Sequence, residues 1–257
     1  GRKALNDNLA PQDSNRSVIL DTNHEVVLVD ALKGLFQDSS AIAKQYREGM
    51  MGRTSGFDWY ENESIYTHTR GTATTGTVTT TIATNGAAVI SLSGLGASTT
   101  IKKGDVFTIA GVYAVHPETK AVRGSLQQFV VTADATASAG GVAATVAVSP
   151  AMYYSAAEYQ NINSAPQSTA AVTWVGAVGS SLEKSLAYHK DAFTFFTADL
   201  EIPRGLPAGA CSRQNFEGIS LRMVEGYNIT DDQSPIRIDV LYGYQALRPE
   251  HAVRITS

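Results

Sequence analysis

The sequence predicts an α+β protein in which a small antiparallel β-domain interrupts a larger mixed domain. Three observations predict it. Apolar residues recur at helical spacing between residues 17 and 52, the stretch 71–101 carries no charged residue, and mixed composition returns after residue 166. The predicted organisation is an irregular segment 1–16, a first part 17–72, an inserted β-domain 73–165 and a second part 166–257.

The polar segment 1–16 is predicted to be irregular. The first part opens with "SVILD" (17–21), which is predicted to be a short buried strand. Asp21 or Thr22 can cap a helix, because both side chains accept hydrogen bonds from free N–H groups. The apolar residues at helical spacing in this helix are Val26, Val29, Leu32 and Phe36. A second helix is predicted over "AIAKQYREGMMG" (41–52), followed by a strand within 56–66.

The inserted part is predicted to be a small antiparallel β-domain of about six strands. Its β-branched runs are broken by Asn85-Gly86, a strong hairpin turn signal. "KKGDVFTIAGVYAVHPETK" (102–120) indicates a strand, a glycine break and another strand. In the next run, the glycines at 140–141 lie between strands, where they serve turn geometry. Regular alternation argues against disorder despite the low charge.

The second part ends in a long patterned hairpin. "GISLRMVEGYNI" (218–229) and "IRIDVLYGYQAL" (236–247) are predicted to pair around "TDDQSP". Read in twos, Ile236, Ile238, Val240 and Tyr242 point one way, which predicts a strand with one buried face. Pro249 lacks an N–H group and is therefore expected between strands or at an edge.

Composition excludes several classes of protein. The 257 residues carry a net charge of −4, so no basic surface favours binding to bare nucleic acid. The single cysteine, Cys211, permits no intramolecular disulfide and favours a reduced, cytosolic history. No apolar run approaches the roughly 20 residues needed to span a membrane. The chain begins with Gly1 rather than Met, which predicts a processed, truncated or partly observed chain.

Concentrated catalytic chemistry is not visible, so neither catalytic, cofactor-binding nor metal residues are predicted. The five histidines, His24, His68, His116, His189 and His251, show no metal-ligand spacing. Cys211 has no base beside it in sequence, although Arg213 could lower its pKa. Asp231 and Asp232 lie in a predicted turn, which they are expected to hold or where they are solvated, and a weak Ca²⁺ site is the alternative. Aromatic residues around "GFDWY" and Trp174 are expected in cores rather than in a ligand platform.

Four stretches, in order, resemble one family. "RIDVLYGYQALRPEHAVRI" (237–255) resembles the carboxyl end of tailed-phage major capsid proteins, closest to coat proteins of short-tailed phages like the Salmonella generalised-transducing podophage. "LKGLFQDSSAIAKQYREGMMGRTSGFDWYENE" (32–63) is similar to the helix pair and strand before that branch's insertion. "TIKKGDVFTIAGVYAV" (100–115) and "SLAYHKDAFTFFTADLEIPRG" (185–205) resemble the insertion's barrel and the segment after it.

The resemblance implies the Hong Kong 97-type capsid fold, with residues 17–72 and 166–257 forming parts of the axial and peripheral domains. It implies a non-enzymatic major capsid protein that self-assembles through pentamers and hexamers into an icosahedral shell around double-stranded DNA. Scaffolding and portal proteins are the expected partners, without a membrane or sequence-specific DNA binding, and assembly is expected in the host cytoplasm. The family's amino-terminal arm, hairpin loop and spine helix are not matched, so a fragment is expected.

Two other functions stay open. The β-rich part by itself fits an adhesion or carbohydrate-binding module, which predicts saturable glycan binding by a monomer. A hydrolase would need a catalytic triad that the residue pattern does not indicate.

Overall fold

A computed structural model describes residues 1–32, 53–155, 159–203, 205 and 210–256. The described chain is mostly β, with two short α-helices, α1 (Arg2–Asp7) and α2 (Thr22–Leu32). The share of helix is therefore smaller than the predicted α+β class implies, and the helix predicted over 41–52 lies outside the described residues. Two compact units are present, one formed by Gly1–Tyr188 with Val253–Ser257, the other by His189–Ala252.

Among the described residues, the first unit is built from fifteen of the nineteen strands. They are β1 (Arg16–Leu20), β2 (Arg53–Thr54), β3 (Phe57–Glu61), β4 (Thr67–Thr69), β5 (Thr77–Val78), β6 (Ala87–Ser93), β7 (Thr100–Ile101), β8 (Val106–Val115), β9 (Val122–Val131), β10 (Ala135–Thr136), β11 (Ala143–Met152), β12 (Val172–Trp174), β13 (Ser181–Glu183), β14 (Ser185–His189) and β19 (Ala252–Ile255). The second unit contains β15 (Phe193–Ala198), β16 (Cys211–Phe216), β17 (Ile219–Glu225) and β18 (Ile236–Ala246).

A five-stranded sheet in the order β19-β14-β1-β3-β2 forms one core of the first unit. β1 and β3 run parallel, and the predicted strand 17–21 is confirmed by β1. Buried residues of this core include Leu5, Val18 and Phe57.

The segment 1–16 is not irregular, which corrects the prediction, because it contains α1 and the start of β1. A six-residue helix is unstable alone and forms here because Leu5 is fully buried. The chain after α1 is held by the buried Arg16 guanidinium, which donates to Pro11 O at 2.7 Å and to Ala10 O at 2.6 Å. Neither the burial of Leu5 nor the hydrogen bonds of Arg16 could be predicted from the spacing of apolar residues in the sequence.

Helix α2 begins where predicted. The Asp21 carboxylate accepts from the Asn23 N–H at 3.0 Å, which caps the first turn. Leu28 packs against the core, whereas Val26 is 64% exposed and Val27 68% exposed. The Val26 side chain of the expected apolar stripe is therefore exposed, and the burial of Val29, Leu32 and Phe36 lies outside what the structure describes.

The β-rich part contains a six-stranded sheet in the order β12-β8-β9-β11-β6-β5. Its core is aromatic at the centre, where the Phe107 ring lies 5.1 Å from Trp174 and 5.9 Å from Phe129, measured between centroids. The expectation that Trp174 is a core residue agrees with its 8% exposure. Because β12 pairs with β8, the sheet continues past residue 165.

Two turn predictions have different outcomes. Gly111 does not break the predicted strand in two, because β8 runs through it with a positive φ of +80° and a shift of register against β9. This bulge corrects the prediction of two strands. β5 and β6 do pair, and Gly86 immediately precedes β6 with a φ of +84°, at the end of the connection rather than at its centre.

The second unit is a four-stranded antiparallel sheet in the order β15-β18-β17-β16. The predicted hairpin is confirmed, with Leu221 opposite Val240 and Met223 opposite Ile238. Pro249 begins a 3₁₀ turn between β18 and β19, as its missing N–H group predicts. In the described part of the chain, no helix is long and apolar enough to cross a membrane.

Candidate functional site

One face of the four-stranded sheet carries large apolar residues on all four strands, with Thr197, Ser212, Gln214 and Glu225 among them. Residues directly opposite each other in a sheet share a face, and Phe195 lies opposite Tyr244 while Phe216 lies opposite Ile219. The large residues of this apolar face are Phe193, Phe195, Phe216, Ile219, Leu221, Met223, Ile236, Ile238, Val240, Tyr242 and Tyr244.

The apolar face is exposed within this chain. Exposure of its large residues ranges from 37% at Leu221 to 79% at Tyr244. The alternation of Ile236, Ile238 and Val240 was predicted correctly, but the expected burial of that side is wrong for the chain alone. Contiguous exposed apolar surface of this kind marks an interaction site.

The opposite face of the same sheet is partly polar and internally paired. Arg222 donates from Nε to an Asp239 carboxylate oxygen at 3.1 Å, and Arg237 lies 2.9 Å from the same carboxylate. The hydrogen bond from Arg222 lowers the pKa of Asp239 below its usual range. On this face the Phe196 ring covers Gly243, where a β-carbon would lie 2.4 Å from the ring. The two faces therefore differ sharply in character.

A buried carboxylate organises the start of the β-rich part. Asp105 is 2% exposed and accepts hydrogen bonds from His68 Nε2 at 2.8 Å and from the Lys102 N–H at 2.8 Å. The Gly71 N–H also lies 3.2 Å from an Asp105 oxygen. These contacts tie β4, the chain after it and the turn before β8 to one side chain. No spacing pattern indicates this pairing in advance, because His68 and Asp105 are distant along the chain.

Two carboxylates and one imidazole meet near the beginning of α2. Asp21, His24 and Glu183 each bring one potential metal-ligand atom within 4.8 Å of the others. The Asp21 carboxyl raises the pKa of Glu183 chiefly through a shared hydrogen bond. Ser185 Oγ lies 3.4 Å from His24 Nδ1. Sequence reasoning missed this group because Glu183 is far from Asp21 and His24 along the chain and lies beside them only in the folded structure.

Glu25, one turn into α2, faces the Glu61 carboxylate. Burial, followed by the charge and hydrogen bond of Glu61, raises the pKa of Glu25 above the usual carboxyl range. The Glu25 Oε2 atom is buried and accepts no hydrogen bond from the described residues. The folded state therefore holds a proton at pH values where the unfolded chain releases it.

We expect Glu25→Gln to raise stability at neutral pH. A raised folded-state pKa means that stability falls as pH rises above about 4.5, because the folded protein binds more protons than the unfolded chain there. The amide keeps a donor toward Glu61 without the second charge. Thermal unfolding should show a midpoint about 2 °C or more above wild type at pH 7, with a smaller difference at pH 4.5. Glu118→Gln, at an exposed turn, is the control, and a lower midpoint for Glu25→Gln at pH 7 would contradict the interpretation.

Among the other residues singled out from sequence, the buried His189 and His251 are brought together, with their ring centroids 6.1 Å apart. His116 Nδ1 lies 3.2 Å from the Glu118 N–H and orders a turn. His189 is buried at the end of β14, and its Nδ1 lies 3.2 Å from the Asp191 N–H. The Cys211 thiol is partly buried at the start of β16.

The acids predicted to lie in a turn do hold it. Asp231 accepts from Asn228 Nδ2 at 2.8 Å, and Asp232 accepts from Tyr227 Oη at 2.7 Å. These carboxylates are therefore occupied by neighbouring side chains, which is the structural role expected of them.

Comparison with known proteins gives matches to a protein family and to solved structures. A family model described as "P22 coat protein - gene protein 5" matches residues 5–256. Among solved structures, the chain is similar to one described as "CUS-3 coat protein I-domain", with 26% sequence identity and a TM-score of 0.30. That match covers 40% of this chain and 96% of the other. No curated protein sequence matches the chain.

Proposed function

Because the chain belongs to the P22 coat protein family, whose model matches residues 5–256, we propose that it is a major capsid protein that self-assembles into an icosahedral shell around a phage's double-stranded DNA. The family match is the observation that carries this proposal. It confirms the resemblance to tailed-phage coat proteins drawn from four sequence stretches. Membership gives the chain a building role in a phage capsid, and the family is one of structural coat proteins.

The proposed shell has pentamers and hexamers in a Hong Kong 97-type arrangement, assembled in the host cytoplasm with scaffolding and portal proteins. The chain's net charge of −4 supports enclosure of DNA without sequence-specific binding. The proposed insertion, predicted as 73–165, includes β12 as well, because that strand pairs with β8. Deleting it is expected to give insoluble or misassembled subunits.

The apolar face supports a role in a protein lattice. Large apolar residues on all four strands of the second unit are exposed, including Ile238 at 69% and Tyr244 at 79%. A sheet face of this composition is costly to leave in water, at about 25 cal/mol for each Å² of apolar surface. We therefore propose that coat-protein polypeptide covers the apolar face in the shell.

Expression in bacteria with and without a scaffolding protein, followed by sedimentation and negative-stain electron microscopy, tests the function. Closed shells or capsomer rings support a coat protein. Dispersed monomers under both conditions contradict it, and glycan binding by those monomers would favour the adhesion or carbohydrate-binding module.

We expect Tyr244→Asp to prevent shell formation. A carboxylate on the apolar face loses its water when the face is covered. An apolar surface around it offers no compensating hydrogen bond or opposite charge. The yield of sedimenting shells should fall at least about tenfold. Gln245→Asp is the matched control, because residue 245 is exposed on the same strand but on the opposite face. Equal shell yields from the two variants would contradict a role of the apolar face in shell assembly.

A further inference from the structure

Negative charge accumulates where the parallel strands β1 and β3 end and α2 begins. The carboxylates at this place belong to Asp21, Glu25, Glu61, Glu63 and Glu183. Within the described ranges, none of them forms an ion pair with a lysine or an arginine. Asp21 is only 4% exposed, and a carboxylate buried to this extent is normally paired with a cation or bound to a metal ion. The fold therefore gathers acidic groups here without supplying their counter-charge.

An imidazole joins two of these carboxylates. One oxygen of Asp21, one oxygen of Glu183 and one ring nitrogen of His24 lie within 4.8 Å of one another. Bonds from zinc to such atoms are about 2.0–2.2 Å long, so the ligand atoms of a tetrahedral site lie about 3.5 Å apart. Side-chain shifts of about 1 Å or less would therefore bring the three donor atoms to bonding distance of one ion.

The donor side chains are held by their neighbours. Ser185 is 1% exposed, and its Oγ lies 3.4 Å from His24 Nδ1. The Asn23 N–H donates to Asp21 Oδ2 at 3.0 Å. Hydrogen bonds of this kind orient the ligands of metal sites. The hydrogen bond that Asp21 shares with Glu183 raises the pKa of Glu183, so in the metal-free chain a proton occupies the place between the two carboxyl groups that a cation would take.

We propose that Asp21, His24 and Glu183 bind a divalent transition-metal ion, with Zn²⁺ as the expected ion. The imidazole nitrogen favours zinc over Mg²⁺ and Ca²⁺, which prefer oxygen ligands alone. Two carboxylates and a neutral imidazole match the charge of a divalent ion, and three protein ligands leave a fourth position for water. A bound ion would tie the beginning of α2 to the end of β13, so it would stabilise the folded chain over the unfolded one.

Isothermal titration calorimetry on the full chain, freed of metal with a chelator and kept at pH 7, tests the site. Titration with zinc chloride should give one ion bound per chain, and magnesium chloride should give no binding. Zinc at about a hundred times its dissociation constant should raise the midpoint of thermal unfolding by about 5 °C or more. Magnesium at the same concentration should leave the midpoint unchanged.

Three variants separate a metal site from a structural cluster. Glu183→Gln removes a ligand and a negative charge, so its midpoint without zinc should equal or exceed that of wild type while its zinc affinity falls at least about tenfold. A purely structural role of Glu183 would not produce this pair of opposite effects. His24→Gln should weaken zinc binding at least about tenfold as well. His116→Gln, which changes a histidine at a turn outside the site, should bind zinc like wild type.

Two kinds of result would overturn the proposal. The first is that wild type binds no zinc, or binds magnesium as tightly as zinc. The second is that zinc binding survives unchanged in both Glu183→Gln and His24→Gln, or falls equally in His116→Gln, because the ion would then be held elsewhere. His24→Gln keeps the test decisive if Glu183→Gln fails to fold.

Discussion

Replacing Asp105 by alanine should lower the free energy of unfolding by about 3–5 kcal/mol, the cost of removing one partner from a buried charged network. The side chain is 2% exposed and accepts from His68, from the Lys102 N–H and from the Gly71 N–H. Alanine leaves the buried donors of His68 and Gly71, and the part-buried Lys102 N–H, without this acceptor. Asp105→Asn retains one carbonyl oxygen and should fall between wild type and Asp105→Ala.

Urea denaturation, followed by circular dichroism and tryptophan fluorescence, measures this effect. Asp134→Ala is the matched control, because Asp134 accepts one backbone hydrogen bond, from Lys103 at 2.6 Å, at an exposed position nearby. The control should cost about 1 kcal/mol or less. If Asp105→Ala unfolds at the same urea concentration as the control, the hydrogen bonds of Asp105 contribute little to the free energy of unfolding.

Gly141→Ala should be the second severe change, lowering the free energy of unfolding by about 2–4 kcal/mol. Gly141 has a φ of +70°, and a β-carbon there would lie 1.9 Å from the Leu95 carbonyl oxygen. The Leu95 N–H donates to Gly141 O at 3.0 Å, so the backbone cannot move away without losing that bond.

The neighbouring glycine provides the control. At Gly140 the nearest atom to an added β-carbon is Ser138 Oγ, at 3.8 Å, which is an ordinary contact. Gly140→Ala should therefore change stability by no more than about 1 kcal/mol. Comparable losses from both alanine variants, measured by thermal unfolding, would contradict the steric argument.

Local pattern predicted much of the sheet structure. The alternation along 236–247 gave the correct strand, and the following turn at Pro249 agrees with its chemistry. The same alternation could not predict exposure, because it reports only a difference between two faces. Whether an apolar face is buried depends on which other polypeptide packs against it, and the alternation within one strand carries no information about that.

Contacts between distant residues were beyond prediction. The buried pairing of His68 with Asp105 and the approach of Glu183 to Asp21 depend on which strands become neighbours. The helix α1 was missed for a related reason, because its stability comes from burial of Leu5 rather than from its own sequence. The prediction at Gly111 was wrong because a glycine in a strand pattern is equally typical of a β-bulge and of a turn between two strands.

The order of strands in the five-stranded sheet affects how the molecule is made. β1 lies between β3 and β14, and β14 lies beside β19. Residues 16–20 therefore cannot complete their strand pairing until β14 has been synthesised, much later in the chain. In contrast, β8 and β9 pair across a short turn and can form early. On the ribosome, the β-rich part can therefore fold first, while the sheet that carries it is completed only when residues 252–255 emerge. Until then β14 has an open edge, and this interval is when a nascent subunit is most exposed to aggregation.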